Sequence, residues 1–196
     1  MSVFLDVVVL LLSWGIVWQQ IAATRDHFVS DKMATPAKLL AALVICSTIV
    51  FSVVLFLAEA PPGAALLGIV LELASLWIFR GALRASREAR LLFAFDPGLP
   101  HGLIDSGPYR YVRHPFYTSY LLFWFGWAIA IWSWWTLPFL IGFVGFYVGA
   151  ATGEERKFAS TNLGPEYESY RQRAGLFWPK LPVRRPVRTS STPGQG

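Results

Sequence analysis

The sequence predicts an all-α integral membrane protein with five transmembrane helices, a C-terminal cytoplasmic helical segment and a disordered tail. Three observations carry this. Only 15% of the 196 residues are charged and 55% are hydrophobic, with mean hydropathy +0.47; a soluble domain carries about a quarter charged residues. The apolar residues are gathered into long blocks, with many of the nine Trp near the block ends, where interfacial belts form. All 17 Lys and Arg fall in three regions, Arg25–Lys38, Arg80–Arg113 and the C-terminal segment, while the connectors between them hold none. Five spans, and not four or six, put those three regions on one side. The positive-inside rule makes that side the cytoplasm and leaves the N-terminus outside. The membrane is expected to be a bacterial inner membrane or that of the endoplasmic reticulum.

Block one covers about residues 3–23. No Lys or Arg precedes it and Asp6 lies in its first turns, so it lacks the basic start of a targeting peptide and reads as a retained span. Pro36 is placed to open block two, 39–58, which is long enough to cross ~30 Å of hydrocarbon. Glu59-Ala60-Pro61-Pro62-Gly63 turns the chain into block three, 64–83. That block contains Glu72, an ionisable group at a costly depth, which is either hydrogen-bonded to a neighbouring span or lines a cavity. Arg80 lies too far along the helix to pair with it directly. Cys46 is the only cysteine, which excludes an internal disulfide; it reads as a small buried hydrophobe. Block four, 116–132, and block five, 135–151, are joined by a short turn at Ser133, with Gly126, Gly142, Gly145 and Gly149 available for close helix packing. Beyond Gly153 the chain is polar, with a short helix over Glu166–Arg173. Residues 1–183 form a single membrane domain in this reading, and 184–196 a Pro/Ser/Thr/Gly-rich tail without structure.

The polar run Asp105–Tyr117 stands between two apolar blocks. Pro115 suits the first turn of a helix, and it pushes His114 towards extended geometry. The run therefore delivers Arg110, Arg113 and His114 to the start of block four, where unpaired N–H groups and the helix dipole favour anions. A short hairpin makes its two ends neighbours, so Glu154 and Glu155 are expected beside Arg113 and His114. Cationic and anionic walls with several Tyr suit a zwitterionic ligand; the alternative is a set of interfacial ion pairs. No G-x-G-x-x-G, no P-loop and no metal-ligand spacing among His27, His101 and His114 is present, so no metal is expected. The net charge of +5 belongs to an anionic membrane surface rather than to nucleic acid.

The stretch Ser106-Gly107-Pro108-Tyr109-Arg110-Tyr111-Val112-Arg113-His114-Pro115-Phe116-Tyr117 resembles the G-x-Y-x-x-x-R-H-P-x-Y signature of the isoprenylcysteine carboxyl methyltransferase family. That family is part of a wider set of integral-membrane methyltransferases that includes phospholipid N-methyltransferases. Glu154-Glu155, followed by Leu163-Gly164-Pro165-Glu166-Tyr167 and Tyr170, is similar to its E-E-x(n)-F-G-x-x-Y-x-x-Y segment. The likeness covers about residues 95–182. It implies S-adenosyl-L-methionine held at the cytoplasmic face by His101, Gly102, Leu103, Ile104, Tyr109, Arg113, His114, Pro115, Tyr117 and Glu155, with no catalytic residue assigned. Three positions depart from the family: Ala151 where an Arg is common, Ser119 where Gly is usual, and Leu163 for Phe.

The expected function is methyl transfer to a lipophilic acceptor, a prenylcysteine-like carboxylate or a lipid amine or thiol. Its partners would be that acceptor and membrane lipids, with no nucleic acid and no obligate protein partner. Two other readings stand beside it. An NADPH-dependent sterol-type reductase needs further basic residues for the cofactor phosphates. A non-enzymatic scaffold needs only the basic face.

Overall fold

The computed structural model describes residues 3–27, 35–87 and 103–180. They form six α-helices: α1 (Val3–His27), α2 (Thr35–Leu57), α3 (Pro62–Arg87), α4 (Pro115–Ile131), α5 (Leu137–Ala159) and α6 (Gly164–Arg173). Single 3-10 turns lie at Gly107–Arg110 and Trp134–Thr136. The described residues contain no strand, only an isolated parallel bridge between Val112 and Gly175. Proline opens most of these helices: Pro36, Pro62, Pro115, Pro138 and Pro165 each stand at the first or second position. The fixed φ of proline suits that place and its missing N–H is not needed there. The fourth helix ends when Trp132 turns left-handed at φ 53°, which allows the chain to reverse within a few residues.

The stretches Val3–Ala23, Thr35–Leu57, Pro62–Arg87 and Trp134–Ala159 are long and apolar enough to cross a bilayer. The protein is a multi-pass membrane protein. The fifth expected span differs. Helix α4 has 17 residues, about 26 Å at ~1.5 Å per residue against ~30 Å of hydrocarbon. It is also the helix most enclosed by protein, touching α1, α2, α3 and α5. Phe123, Trp124, Trp127, Ala130 and Ile131 are buried along it, so its apolar side chains meet partner helices rather than lipid. Trp124 stacks on Phe143 of α5 with centroids 4.3 Å apart, and Phe51 of α2 closes on Trp124 and Trp127 edge-on. The outer helices show the opposite pattern, with Trp14, Leu67, Trp77 and Ile141 exposed towards the bilayer.

The tightest seam runs between α3 and α4. A Cβ on Gly68 would lie 2.6 Å from the carbonyl oxygen of Gly126 and 2.6 Å from Ala130 Cβ. Ser75 Oγ donates to the Ser119 carbonyl at 2.7 Å across the same seam. Gly126 thus serves the close approach expected of it, and Gly142 faces Leu43 of α2. Gly145 and Gly149 do not, since nothing lies within 4 Å of where their Cβ atoms would be. Cys46 is exposed on the outer face of α2, so the apolar surroundings its sequence context implies are lipid and not core.

Glu72 is fully buried and accepts a hydrogen bond from Ser13 Oγ of α1 at 2.7 Å, which decides for the neighbouring-span alternative. Arg80 instead donates to Gln19 Oε1 of α1 at 3.0 Å. Residues 88–102 and 181–196, which include the expected tail, lie outside the described residues.

Candidate functional site

The site is built where α4 begins and α5 ends. Pro115 is the first residue of α4, and His114 before it has φ −123° and ψ 66°. That geometry turns the His114 ring inward, where it stacks on Tyr117 of the first helical turn with planes 8° apart. The buried face of α5 runs through Leu140, Phe143, Tyr147 and Ala151. Helical spacing continues the same face to Glu154 and Glu155.

The two ends meet as ion pairs. Arg113 Nε donates to Glu155 Oε1 at 2.7 Å, and His114 Nδ1 lies 3.3 Å from Glu154 Oε2. Tyr117 donates its hydroxyl to Glu154 Oε1 at 2.5 Å. The side chains of Arg113 and His114 are only 8% and 9% exposed. In such surroundings charges attract far more strongly than in water, and unpaired ones cost more. His114 Nε2 is 3.4 Å from Glu155 Oε1, close enough to share charge. It is not aligned for a hydrogen bond, and it stays a buried polar atom without a hydrogen-bond partner among the described residues. Burial alone would lower the His114 pKa, but the close carboxylates of Glu154 and Glu155 outweigh it and raise it above the ordinary histidine value.

A second segment locks this arrangement. After α6 the chain folds back so that Arg113 N–H donates to Gly175 O at 2.8 Å, Gly175 N–H to Tyr111 O at 3.0 Å and His114 N–H to Leu176 O at 3.3 Å. Arg113 Nη1 donates to Ala174 O at 2.6 Å, and Thr118 Oγ1 to Phe177 O at 3.1 Å. Tyr170 of α6 donates its hydroxyl to Tyr109 O at 2.6 Å. Phe177 then stands edge-on to the His114 ring. The guanidinium of Arg113 therefore serves two partners at once, a carboxylate and the backbone of the returning segment.

Of the residues expected at the site, Arg113, His114, Tyr117 and Glu155 come together. Pro115 is buried and sets the helix start. Tyr109 is buried one layer behind, packed with Phe79, Ala82 and Phe116; burial pushes its phenol well above the ordinary value, so it stays neutral. Ile104 packs against that same cluster, and Leu103 against Tyr167, Tyr170 and Ala174. Neither Leu103 nor Ile104 joins the polar group. His101 and Gly102 lie outside the described residues. The sequence placed Glu154 beside His114, as observed, without counting it among the cofactor contacts, and it gave no sign of Phe177. Glu154 lies two turns after Tyr147 on one helix face. Tyr147 itself stacks on Tyr117 at 5.3 Å. Phe177 carried no signal except the Gly175 that lets the chain return.

Ala151, at the family's usual Arg position, is fully buried in the apolar core. Besides Arg113, a second cation reaches Glu155: Arg171 Nε lies 3.9 Å from Glu155 Oε2.

The family model described as phospholipid methyltransferase matches residues 63–166. The chain belongs to the phospholipid methyltransferase family. This family is related to the isoprenylcysteine carboxyl methyltransferases whose signature the motifs resemble. The match begins at α3, earlier than the motif resemblance, and so takes in the helix that seats α4 through Gly68. No curated protein and no solved structure matches the chain. Phospholipid methyltransferases are membrane enzymes that transfer a methyl group and generally take it from S-adenosylmethionine.

The residues present fit that cofactor. Its amino-acid end carries a carboxylate and an ammonium, and the site offers a guanidinium, a histidine with an unbonded Nε2, and two carboxylates within one side-chain layer.

Proposed function

We propose that the protein transfers a methyl group from S-adenosyl-L-methionine to a lipophilic acceptor that reaches the site from the bilayer. The observation that carries this reading is the meeting of Arg113 and His114 with Glu154 and Glu155 at one end of the α4–α5 hairpin, in a chain of this family. Arg113 and His114 would hold the cofactor carboxylate, and Glu155 its ammonium or ribose hydroxyls. Tyr109, Pro115, Leu103 and Ile104, with His101 and Gly102, would shape the surrounding wall. Orientation by the positive-inside rule puts this end at the cytoplasmic face.

When bound, the cofactor supplies an electrophilic methyl group. The chain's own part is to hold the acceptor atom in line with it and to exclude water, which for a displacement of this kind accounts for most of the acceleration. Acceptors carrying an amine, a carboxylate or a thiol all meet that requirement. Burial of Ala151 leaves Arg171 to meet an anionic acceptor.

The test is calorimetric titration of S-adenosylhomocysteine into the purified full chain in detergent, with NADPH as the competitor. Binding is expected, untouched by NADPH. His114→Ala and Glu155→Ala should each weaken it roughly 10-fold or more, because a charge-assisted hydrogen bond contributes about 1.5–3 kcal/mol. Binding that survives both substitutions overturns the site; displacement by NADPH overturns the methyl-transfer reading in favour of a reductase.

A further inference from the structure

The outer face of α3 carries a feature that plays no part in the site just described. Val70, Leu73, Trp77, Arg80, Arg84 and Arg87 recur at three- and four-residue spacing, so they lie along one side of the helix, and all of them are exposed. The stripe changes character once. It is apolar down to Trp77, which is 77% exposed, and cationic from Arg80 onward. A tryptophan at the change is what a helix shows where it leaves hydrocarbon for the headgroup layer. Arg80 is held in place by its hydrogen bond to Gln19 of α1. No carboxylate whose side chain is described lies within ion-pair distance of Arg80, Arg84 or Arg87. Along the sequence from 80 to 87, Arg80, Arg84 and Arg87 stand with no Asp or Glu between them. The excess of positive charge is therefore local, and it calls for an anionic partner.

We propose that this stripe binds one anionic phospholipid, with its acyl chains along Val70, Leu73 and Trp77 and its phosphate against Arg80, Arg84 and Arg87. The adjacent face of α3 is already taken. Pro108 packs on Gly81, where a Cβ would stand 2.8 Å from its Cγ, and Gly107 packs on Ala85. The lipid thus sits beside the turn that carries Tyr109 and outside the methyl-transfer site, and the proposal does not depend on that site's assignment.

The experiment is native mass spectrometry of the full chain released from micelles containing dioleoyl-phosphatidylglycerol and dioleoyl-phosphatidylcholine in equal amounts. One phosphatidylglycerol is expected to stay bound in preference to phosphatidylcholine. Each arginine near a headgroup contributes about fivefold in affinity, so Arg84→Gln should lower retention about fivefold and the combined Arg80→Gln, Arg84→Gln, Arg87→Gln variant about a hundredfold. Lys38→Gln, Arg156→Gln and Arg173→Gln together remove the same charge elsewhere and should change it little. Equal loss from both triple variants, showing diffuse attraction only, overturns the site. So does equal retention of the two lipids, or displacement of phosphatidylglycerol by inorganic phosphate. Arg84 makes no internal ion pair or hydrogen bond among the described residues, so the single variant decides the matter if the triple variant fails to fold; an unchanged single variant also overturns the proposal.

Discussion

His114 is where the backbone, the charges and the ligand chemistry of this protein coincide. Its raised pKa makes it a stabilising cation in the folded state, facing Glu154 and Glu155. A group whose pKa rises on folding stabilises fully below its unfolded value, ~6.5 for histidine, and loses that contribution as pH climbs through the folded value. The melting temperature of the wild-type chain in detergent should therefore exceed that of His114→Gln most at about pH 5.5–6, with the gap closing as pH is raised. A gap independent of pH would mean that the ring acts by packing alone. Glu155 is a separate case. Removing its charge strands Arg113, which is nearly buried, and leaving one member of a buried pair unmatched costs about 3–5 kcal/mol. Glu155→Gln should accordingly melt well below a surface variant such as Glu166→Gln, whose side chain is exposed.

At the scale of elements, two seams do different work. The α3–α4 seam depends on Gly68, and an added methyl there must push against the Gly126 carbonyl and Ala130. Overpacking of this kind costs about 1–3 kcal/mol. Gly68→Ala should lower the melting temperature, while Gly145→Ala, which meets open space, should leave it unchanged or raise it, since alanine is the better helix former. The second seam is the return of residues 174–177 along Tyr111–His114. A Cβ on Gly175 would overlap the carbonyl oxygen of Trp178, so Gly175→Ala must open the turn. Circular dichroism should show the helices intact, while S-adenosylhomocysteine binding falls as Phe177 and the Ala174 carbonyl leave their places. The helices themselves were legible in the sequence: prolines, the Glu59–Gly63 turn and the Ser133 turn mark their ends within a few residues. The return segment was not, because it is held by backbone groups bonded to a stretch far earlier in the chain, as Gly175 is to Tyr111 and Arg113. Such bonds leave no trace in side-chain pattern.

For the whole molecule the open consequence is topological. If the short α4 completes a crossing, Ser106 and Ser133, which flank it, lie on opposite sides of the membrane. In a Cys46→Ser background, single cysteines at the two positions should be labelled by a membrane-impermeant maleimide from opposite faces. Labelling from one face would mean that the α4–α5 hairpin enters the bilayer and returns. The central place of α4 makes the crossing physically reasonable despite its length, since its neighbours α1, α2, α3 and α5 cover it and carry the contact with lipid.

The sequence alone determined the class of the protein and the neighbourhood of its site. Hydrophobic blocks, the placement of 17 basic residues and a short hairpin turn are local or additive properties, and they suffice to bring Arg113–His114 within reach of Glu154–Glu155. Tertiary structure decided the rest. It made Ser13 the partner of Glu72, left Cys46, Gly145 and Gly149 facing outward, and set Leu103 and Ile104 into packing clusters away from the charges. In a membrane helix the side facing lipid and the side facing protein are equally apolar, so hydropathy does not distinguish them; only the packing of one helix against another does.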